Sequence, residues 1–212
     1  MNRSPKAARD AEASPNQNDK RRQIIAAART VLARDGLAAC TARNLAAESP
    51  LTKSAIHYYF DDMEEIVDQA MDGHIEAFVE QLWAAADRHD QPADRFWAVM
   101  ENYLATFRSA PTTALLWFGY WVDVGHKGRL GPIESMHRKV QAVLVDLLFG
   151  LDVPNPQRTS HALHSYLIGT VIQQLVSPKP FAEIRSEIAV LCGLEDVTAQ
   201  RRRSRRTVRQ VG

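Results

Sequence analysis

Apolar side chains recur at intervals of three and four residues along most of this chain, and that spacing restricts the possible folds more than any other feature. Ile24, Ala28, Val31 and Leu32 are the first example, and they would share one face of a helix. Similar stripes follow as far as Leu191, whereas the strict alternation typical of a half-buried strand is absent. The pattern predicts an all-α fold of about nine helices without an internal repeat.

Glycine and proline residues indicate where these helices end. Gly36 follows the first stripe directly, at the position where glycine commonly terminates a helix. Pro50 must end the next short helix, because the residue before a proline avoids the α region. Residues 1–19 are polar and lack periodicity, which predicts a disordered arm. Residues 112–124 are apolar on nearly all sides, so we expect their helix to be central.

The formal net charge of +1 is an average over regions of opposite charge. Residues 1–60 carry ten Lys and Arg against five Asp and Glu, residues 61–195 carry ten against nineteen, and residues 196–212 carry six against one. Two basic ends around an acidic middle indicate that the ends approach a nucleic acid or a membrane surface.

The remaining composition narrows the class of protein. A hydrophobic content of 45% is sufficient for a core and excludes wholesale disorder. The two cysteines, Cys40 and Cys192, allow neither a disulfide framework nor a zinc site, which fits a reducing compartment. The N-terminus has no signal-peptide pattern, and no apolar run reaches the length of a membrane span. We therefore expect a soluble, cytoplasmic protein.

Residues 41–60 have the spacing of two short helices joined by a tight turn, as in a helix-turn-helix, with Thr41 and Thr52 as the predicted N-caps. The second helix of that motif enters the DNA major groove by its N-terminal residues. Arg43 lies in the first turn of the preceding helix and could bond guanine bidentately. The other candidates supply donors, a cation and aromatic edges: Thr41, Thr52, Lys53, Ser54, His57, Tyr58 and Tyr59. A surface helical hairpin with ordinary caps is the alternative.

Residues 20–66 resemble the DNA-binding domain of the TetR family of bacterial transcriptional regulators. The matching elements are a helix ending in Gly36, then Thr41, residues 43–48 (RNLAAE), residues 51–56 (LTKSAI) and residues 57–60 (HYYF). Three positions depart from the family pattern: Pro50 replaces a turn glycine, His57 a tyrosine and Met63 a lysine. The resemblance divides the chain into a disordered arm (1–19), a DNA-binding domain (20–66), a ligand-binding and dimerisation domain (67–195) and a basic disordered tail (196–212).

The resemblance also implies individual roles. Thr41, Thr52, Tyr58 and Tyr59 would contact phosphates or pack beside them. Arg43, Lys53, Ser54, Ala55 and His57 would face bases or the neighbouring phosphates. Because the family forms dimers, the operator would be a near-palindrome with half-sites ~34–36 Å or more apart.

The aromatic residues of the C-terminal part could line a cavity for a small-molecule effector. Residues 116–121 (LWFGYW) resemble the BetI-like subgroup, which includes choline-responsive repressors. Aromatic faces suit apolar ligands and attract cations. The candidate ligand residues are Tyr103, Phe107, Trp117, Trp121 and Tyr166. Ordinary core packing of these rings is the alternative.

The last two helices, about residues 157–176 and 180–193, are the expected dimer surface, since in the family these helices form a four-helix bundle with their mates. The candidate interface residues are Leu163, Leu167, Gly169, Thr170, Val171 and Gln174. Glycine inside a helix costs about 1 kcal/mol relative to alanine, and a close approach of two helices would justify Gly169.

We therefore expect a homodimeric, ligand-responsive repressor that a small molecule releases from its operator. A phosphate cradle at residues 125–131 lacks the Walker spacing, and no metal or other cofactor motif is present. No convergent acid, base and nucleophile set is found, so we expect no enzyme activity. An all-α enzyme or carrier with an incidental helix-turn-helix, or a constitutive architectural DNA binder, is the alternative. The sequence specifies neither the effector, the operator and the regulated genes nor the sign of regulation.

Overall fold

The computed structural model describes residues 15–194, and this part of the chain is all-α, which confirms the predicted fold class. It contains nine α-helices, no strand and one 3₁₀ turn, Leu37–Ala39, that the sequence pattern did not indicate. The helices are α1 Pro15–Asp35, α2 Ala42–Glu48, α3 Lys53–Tyr59, α4 Met63–Ala86, α5 Pro92–Ser109, α6 Pro111–His126, α7 Gly131–Gly150, α8 Pro156–Val176 and α9 Phe181–Cys192.

Helix α1 begins five residues before the end of the predicted disordered arm, so residues 15–19 are helical. Pro15 suits the first turn of a helix, where its missing N–H costs no hydrogen bond. The carboxylate of Asp19 accepts a bond from the Gln23 amide at 2.8 Å and pairs with Arg22 at 3.4 Å, which stabilises this first part of the helix. The rest of the predicted arm (1–14) and the predicted basic tail (196–212) lie outside the described residues.

The described helices form two compact units. The first comprises residues 15–76 and 115–133, and the second residues 77–114 and 134–194. The predicted division after residue 66 stays a prediction. In the first unit the apolar stripe of α1 packs with α2 and α3, and Ile24, Leu45 and Ile56 are completely buried. This small core positions the two short helices.

Helix α6 is less buried than its apolar sequence led us to expect. Ala114, Trp117 and Tyr120 are buried, but Leu115 is 63% exposed and Val122 is 67% exposed. The helix therefore buries one face only. Its nearly uniform apolar sequence did not predict that Leu115 and Val122 are exposed.

The second unit has a core built from α5, α7, α8 and α9. Its fully buried side chains include Phe96, Met100, Leu144, Leu148, Leu163, Leu167 and Ile188. Two histidines join this core: the rings of His137 on α7 and His164 on α8 lie 5.0 Å apart, and His164 is only 4% exposed. Burial, followed by the charges of His137 and His161, lowers the pKa of His164 to about 4.

Each unit contains one buried cysteine. Cys40 precedes α2 in the first unit and is 8% exposed, whereas Cys192 ends α9 in the second and is 3% exposed. Burial raises the pKa of both thiols to about 11.

Gly36 ends α1 with φ +82° and ψ −178°, a conformation that is essentially restricted to glycine. A Cβ at this position would meet nothing within 4 Å, and the same is true of Gly119 inside α6. We expect Gly36→Ala to lower the free energy of unfolding by on the order of 1 kcal/mol through backbone strain alone. Gly119→Ala should raise it by a similar amount because alanine favours the helix. Urea unfolding of both variants measures the two changes in the free energy of unfolding. Equal changes in the two variants would contradict the prediction.

Candidate nucleic-acid interface

Helix α2 begins with the threonine cap that the sequence predicts. Thr41 is extended (φ −118°, ψ 154°), and its hydroxyl oxygen accepts a hydrogen bond from the backbone N–H of Asn44 at 3.3 Å. The side chain of Asn44 in turn donates to the carbonyl of Ala39 at 2.8 Å. Together these bonds fix the entry into the helix, so the direction of its first turn is set locally.

The turn between α2 and α3 explains why proline can replace the usual glycine. Ser49 is extended (φ −121°, ψ 162°), as a residue before proline should be, and no residue of the turn has a positive φ. The hydroxyl of Ser49 accepts a bond from the N–H of Leu51 at 3.3 Å. The Thr52 hydroxyl then caps α3 by accepting a bond from the N–H of Ala55 at 3.2 Å. The turn therefore closes without a residue that only glycine could supply.

Most of the predicted DNA contacts are on the surface of this helix-turn-helix. The exposed ones are Thr41, Arg43, Thr52, Lys53, Ser54, His57 and Tyr58. Tyr58 is 72% exposed, and its ring lies edge-to-face with Tyr59 at 5.1 Å between centroids. Ala55 and Tyr59 are half-buried, whereas Ile56 and Phe60 belong to the core. The exposed set combines hydroxyl, cationic and aromatic groups, which can bond both phosphates and base edges.

Two cations of this surface have no acidic partner in the described part of the chain. Arg43 projects from the first turn of α2 and Lys53 from the first turn of α3, and neither forms an ion pair there. By contrast, Arg34 is paired with Asp35 and with Glu48, both at 2.9 Å. The Arg34 guanidinium lowers the pKa of Asp35 and offsets the negative charge that Glu48 places on α2. Within the described part of α2 and α3, positive charge without an acidic partner is therefore present in the first turn of each helix.

The sequence pattern indicated Arg21 only as one cation of the basic N-terminal region, and its contacts were not predicted. This side chain turns inward: it donates to the carbonyl of Tyr59 and to the carboxylate of Glu65, and its guanidinium lies 4.1 Å from the centroid of the Phe60 ring. A signal was available, because Arg21 precedes Ile24 by three residues and Ala28 by seven. It therefore shares the buried face of α1.

The predicted ligand residues are distributed over both units. In the second unit, Tyr103 and Phe107 form an aromatic cluster with Phe78, at centroid distances of 5.2 to 5.6 Å. In the first unit, Trp117 is buried and Trp121 is half-buried against Phe118.

Tyr166 has a different environment within the second unit. Its hydroxyl donates to Glu187, which Lys179 also contacts at 3.0 Å. Burial and this bond raise the pKa of Tyr166 to about 12. A groove in the same unit is lined by residues of α5, α8 and α9, including Leu104, Arg108 and Phe181, but by none of the predicted aromatic residues. The effector site stays a prediction.

Four of the predicted interface residues face the core of their own chain. Leu163, Leu167, Thr170 and Val171 are at most 7% exposed, because they form the inner stripe of α8. The outer face instead carries Ile172, Leu175 and Val176, and α9 adds Val190 and Leu191. Gly169 and Gln174 are half-buried, and a Cβ at Gly169 would meet nothing within 4 Å. The dimer surface stays a prediction, and the large apolar side chains exposed on α8 and α9 are other residues than the predicted ones.

The glycine-rich loop after α6 is held by ion pairs. Arg129 pairs with Asp68 at 2.7 Å and with Glu64 at 3.2 Å, and Lys127 pairs with Glu64 at 2.9 Å. Asp68 also accepts a bond from the hydroxyl of Tyr120 at 2.8 Å. The basic side chains of this loop thus have carboxylate partners, which fits a surface loop better than a phosphate cradle.

Residues 15–194 contain neither a candidate metal site nor a helix that could span a membrane. No group of three or more His, Cys, Asp or Glu side chains in that range could hold a metal ion. None of the helices within it is both long and apolar enough to cross a membrane.

Residues 24–70 match the family of bacterial regulatory proteins called the tetR family, which confirms the family resemblance of the helix-turn-helix region. No curated protein matches the chain. A transcriptional regulator from Rhodococcus sp. Rha1 has a similar fold, with 19% identity and a TM-score of 0.65 over 82% of this chain and 94% of that one.

Two other solved structures extend this comparison. A TetR transcription regulator from Haloarcula marismortui has 16% identity and a TM-score of 0.68, covering 84% of this chain and 98% of that one. The multidrug binding protein EbrR, complexed with proflavin, has 22% identity and a TM-score of 0.66, covering 81% and 99%. The likeness over most of the chain shows a shared fold.

Proposed function

We propose that this chain, whose N-terminal region is of the TetR family, is a ligand-responsive, sequence-specific DNA-binding transcriptional regulator that acts as a repressor in the cytoplasm. The observation that carries the proposal is the pair of capped short helices whose first turns carry Arg43 and Lys53, two cations without an acidic partner among residues 15–194. The N-terminal end of the second helix is the part of such a motif that enters the major groove. The family match covers these same residues.

A homodimer would present two such motifs to a near-palindromic operator. We place the dimer surface on the outer faces of α8 and α9, where Ile172, Leu175, Val176, Val190 and Leu191 are 39–86% exposed. Large apolar side chains that are exposed on neighbouring helices can be covered by a partner. A two-fold axis would let this one surface serve both subunits.

The effector would act by favouring one of two dimer states. A small molecule that binds more tightly to the state with wrongly spaced recognition helices shifts the population toward it and releases the operator. The EbrR complex shows that this fold accommodates proflavin in another protein. We therefore propose a small molecule with apolar or cationic character, for which aromatic faces are suitable partners.

Selection of bound fragments from the source genome, followed by titration against salt, tests the DNA-binding proposal. We expect an enriched near-palindrome and a linear fall of log K with log salt concentration. A flat salt response without an enriched sequence would refute the proposal.

Replacement of a half-buried aromatic residue tests the effector proposal, with proflavin as the probe. We expect proflavin to weaken operator binding, and Trp121→Leu to reduce the affinity for proflavin roughly 2- to 30-fold, the contribution of one cation–π contact. Operator affinity without proflavin should not change. Trp97→Leu, at a half-buried tryptophan that already stacks on Arg185 at 4.0 Å, is the control. Equal effects of the two variants would exclude Trp121 from the site.

A further inference from the structure

We propose that Arg21 is a positioning residue for the recognition helix α3 and does not contact DNA. Its guanidinium bonds at once to the last residue of α3, Tyr59, and to Glu65 in the first turn of α4, while it covers the ring of Phe60 between them. Three elements of the first unit therefore meet on one side chain. The inference rests on the proposed DNA binding.

Arg21 occupies a place where backbone groups need a partner. The last carbonyls of a helix have no intrahelical donor, and α3 has only seven residues to stabilise it. A charge-assisted bond to the Tyr59 carbonyl satisfies one of these groups and places positive charge at the negative end of the helix dipole. The guanidinium of Arg21 thus stabilises the end of α3 opposite to the one that would enter the groove.

Glu65 fixes Arg21 from the other side. The two charges are 2.8 Å apart, with side chains only 24% and 15% exposed, so the pair is shielded from solvent. Glu65 is itself held in place, because its backbone N–H bonds to the Asp62 carboxylate at 2.7 Å and its side chain accepts a bond from Gln69 at 3.2 Å. Arg21 therefore connects α3 to a rigid first turn of α4, which sets the direction of the recognition helix.

The neighbouring Arg22 provides a matched control. It is one residue away and has the same charge, but its side chain is 76% exposed, and its acidic partner among the described residues is Asp19 of its own helix. A purely electrostatic contribution to DNA binding would make the two arginines equivalent. If Arg21 positions α3, only the replacement of Arg21 should weaken binding to the operator relative to unrelated DNA.

The test compares Arg21→Met, Arg21→Lys and Arg22→Met on operator DNA and on unrelated DNA, in the full-length protein at a temperature where all variants are folded. We expect Arg21→Met to lower operator affinity roughly tenfold and to leave affinity for unrelated DNA and the salt slope unchanged. Arg21→Lys should behave similarly, since lysine keeps the charge but lacks the planar fork that reaches two acceptors. Arg22→Met should not change the ratio of the two affinities.

For a second variant, the two explanations predict opposite changes in DNA affinity. Glu65→Gln removes a negative charge, so simple electrostatics predicts stronger binding to any DNA, whereas loss of the anchor for Arg21 predicts weaker binding to the operator alone. Amide hydrogen exchange without DNA should be faster at the end of α3 in Arg21→Met and Glu65→Gln, but not in Arg22→Met.

Three results would overturn the inference. The first is a salt slope that is reduced by about 0.9 in Arg21→Met, as for a lost phosphate contact. The others are an operator affinity of Arg21→Lys equal to that of the wild type, and an amide hydrogen exchange rate in α3 that Arg21→Met does not change. If the wild-type protein bound no DNA, the proposed function would fail, and the exchange data would still decide whether Arg21 orders α3.

Discussion

The Arg43→Ala variant is expected to bind the operator ~5- to 150-fold more weakly than the wild type, a loss of about 1–3 kcal/mol in binding free energy. Arg43 is exposed in the first turn of α2 and has no acidic partner within the described residues, so its guanidinium is available for the bidentate contact that guanine offers. Affinities for a set of operators with single base-pair changes measure the effect. The preference at one base pair should disappear.

Arg43→Lys separates recognition of a base from attraction to a phosphate. Lysine keeps the charge but not the fork, so the base preference should be lost while most of the salt dependence remains. Equal weakening on every sequence, with a salt slope lowered by about 1, would instead make Arg43 a phosphate contact.

The second large expected effect is a loss of folding stability at acid pH, caused by the protonation of His164. The pKa of this buried ring is lowered to about 4, below the value of about 6.5 in an unfolded chain, because burial and the charges of the adjacent His137 and of His161 on the same helix disfavour its charged form. The unfolded chain therefore takes up the proton first as the pH falls. The contribution of His164 to stability is complete above about pH 6.5 and is lost progressively toward pH 4, by about 3 kcal/mol in total.

Urea unfolding at a series of pH values isolates this contribution when His164→Phe is compared with the wild type. Phenylalanine keeps a ring beside His137 but cannot take up a proton, so the free energy of unfolding of the variant should fall less between pH 7 and pH 4. His161→Gln, at an exposed position of the same helix, should retain most of the wild-type dependence. Parallel curves for His164→Phe and the wild type would show that His164 does not titrate in this range.

Features that depend on neighbouring residues could be predicted from the sequence. Thr41 and Thr52 cap their helices as expected, Gly36 ends α1, and Pro50 is preceded by an extended residue. Each of these results from local backbone sterics or from a hydrogen bond that spans three residues.

Features that depend on distant residues could not be predicted in this way. Arg21 bonds to groups 38 and 44 residues away, and no local pattern identifies those partners. The apolar stripe of α8 was recognised, but periodicity alone does not say whether a stripe faces its own core or a partner. Leu163 and Leu167 are buried in the core of their own chain, whereas Ile172 and Leu175 of the same helix are exposed. The position of the dimer surface stays a prediction.

The positions of the two cysteines allow the opening of each unit to be followed separately without an engineered label. Alkylating reagents attack thiolates, and both thiols are buried with pKa values of about 11, so labelling at neutral pH requires local or global opening. Modification of Cys40 would report on the DNA-binding region, and modification of Cys192 on the unit that contains α8 and α9. Mass spectrometry of the two peptides could therefore show, in one sample, whether an effector slows opening in one region or in both.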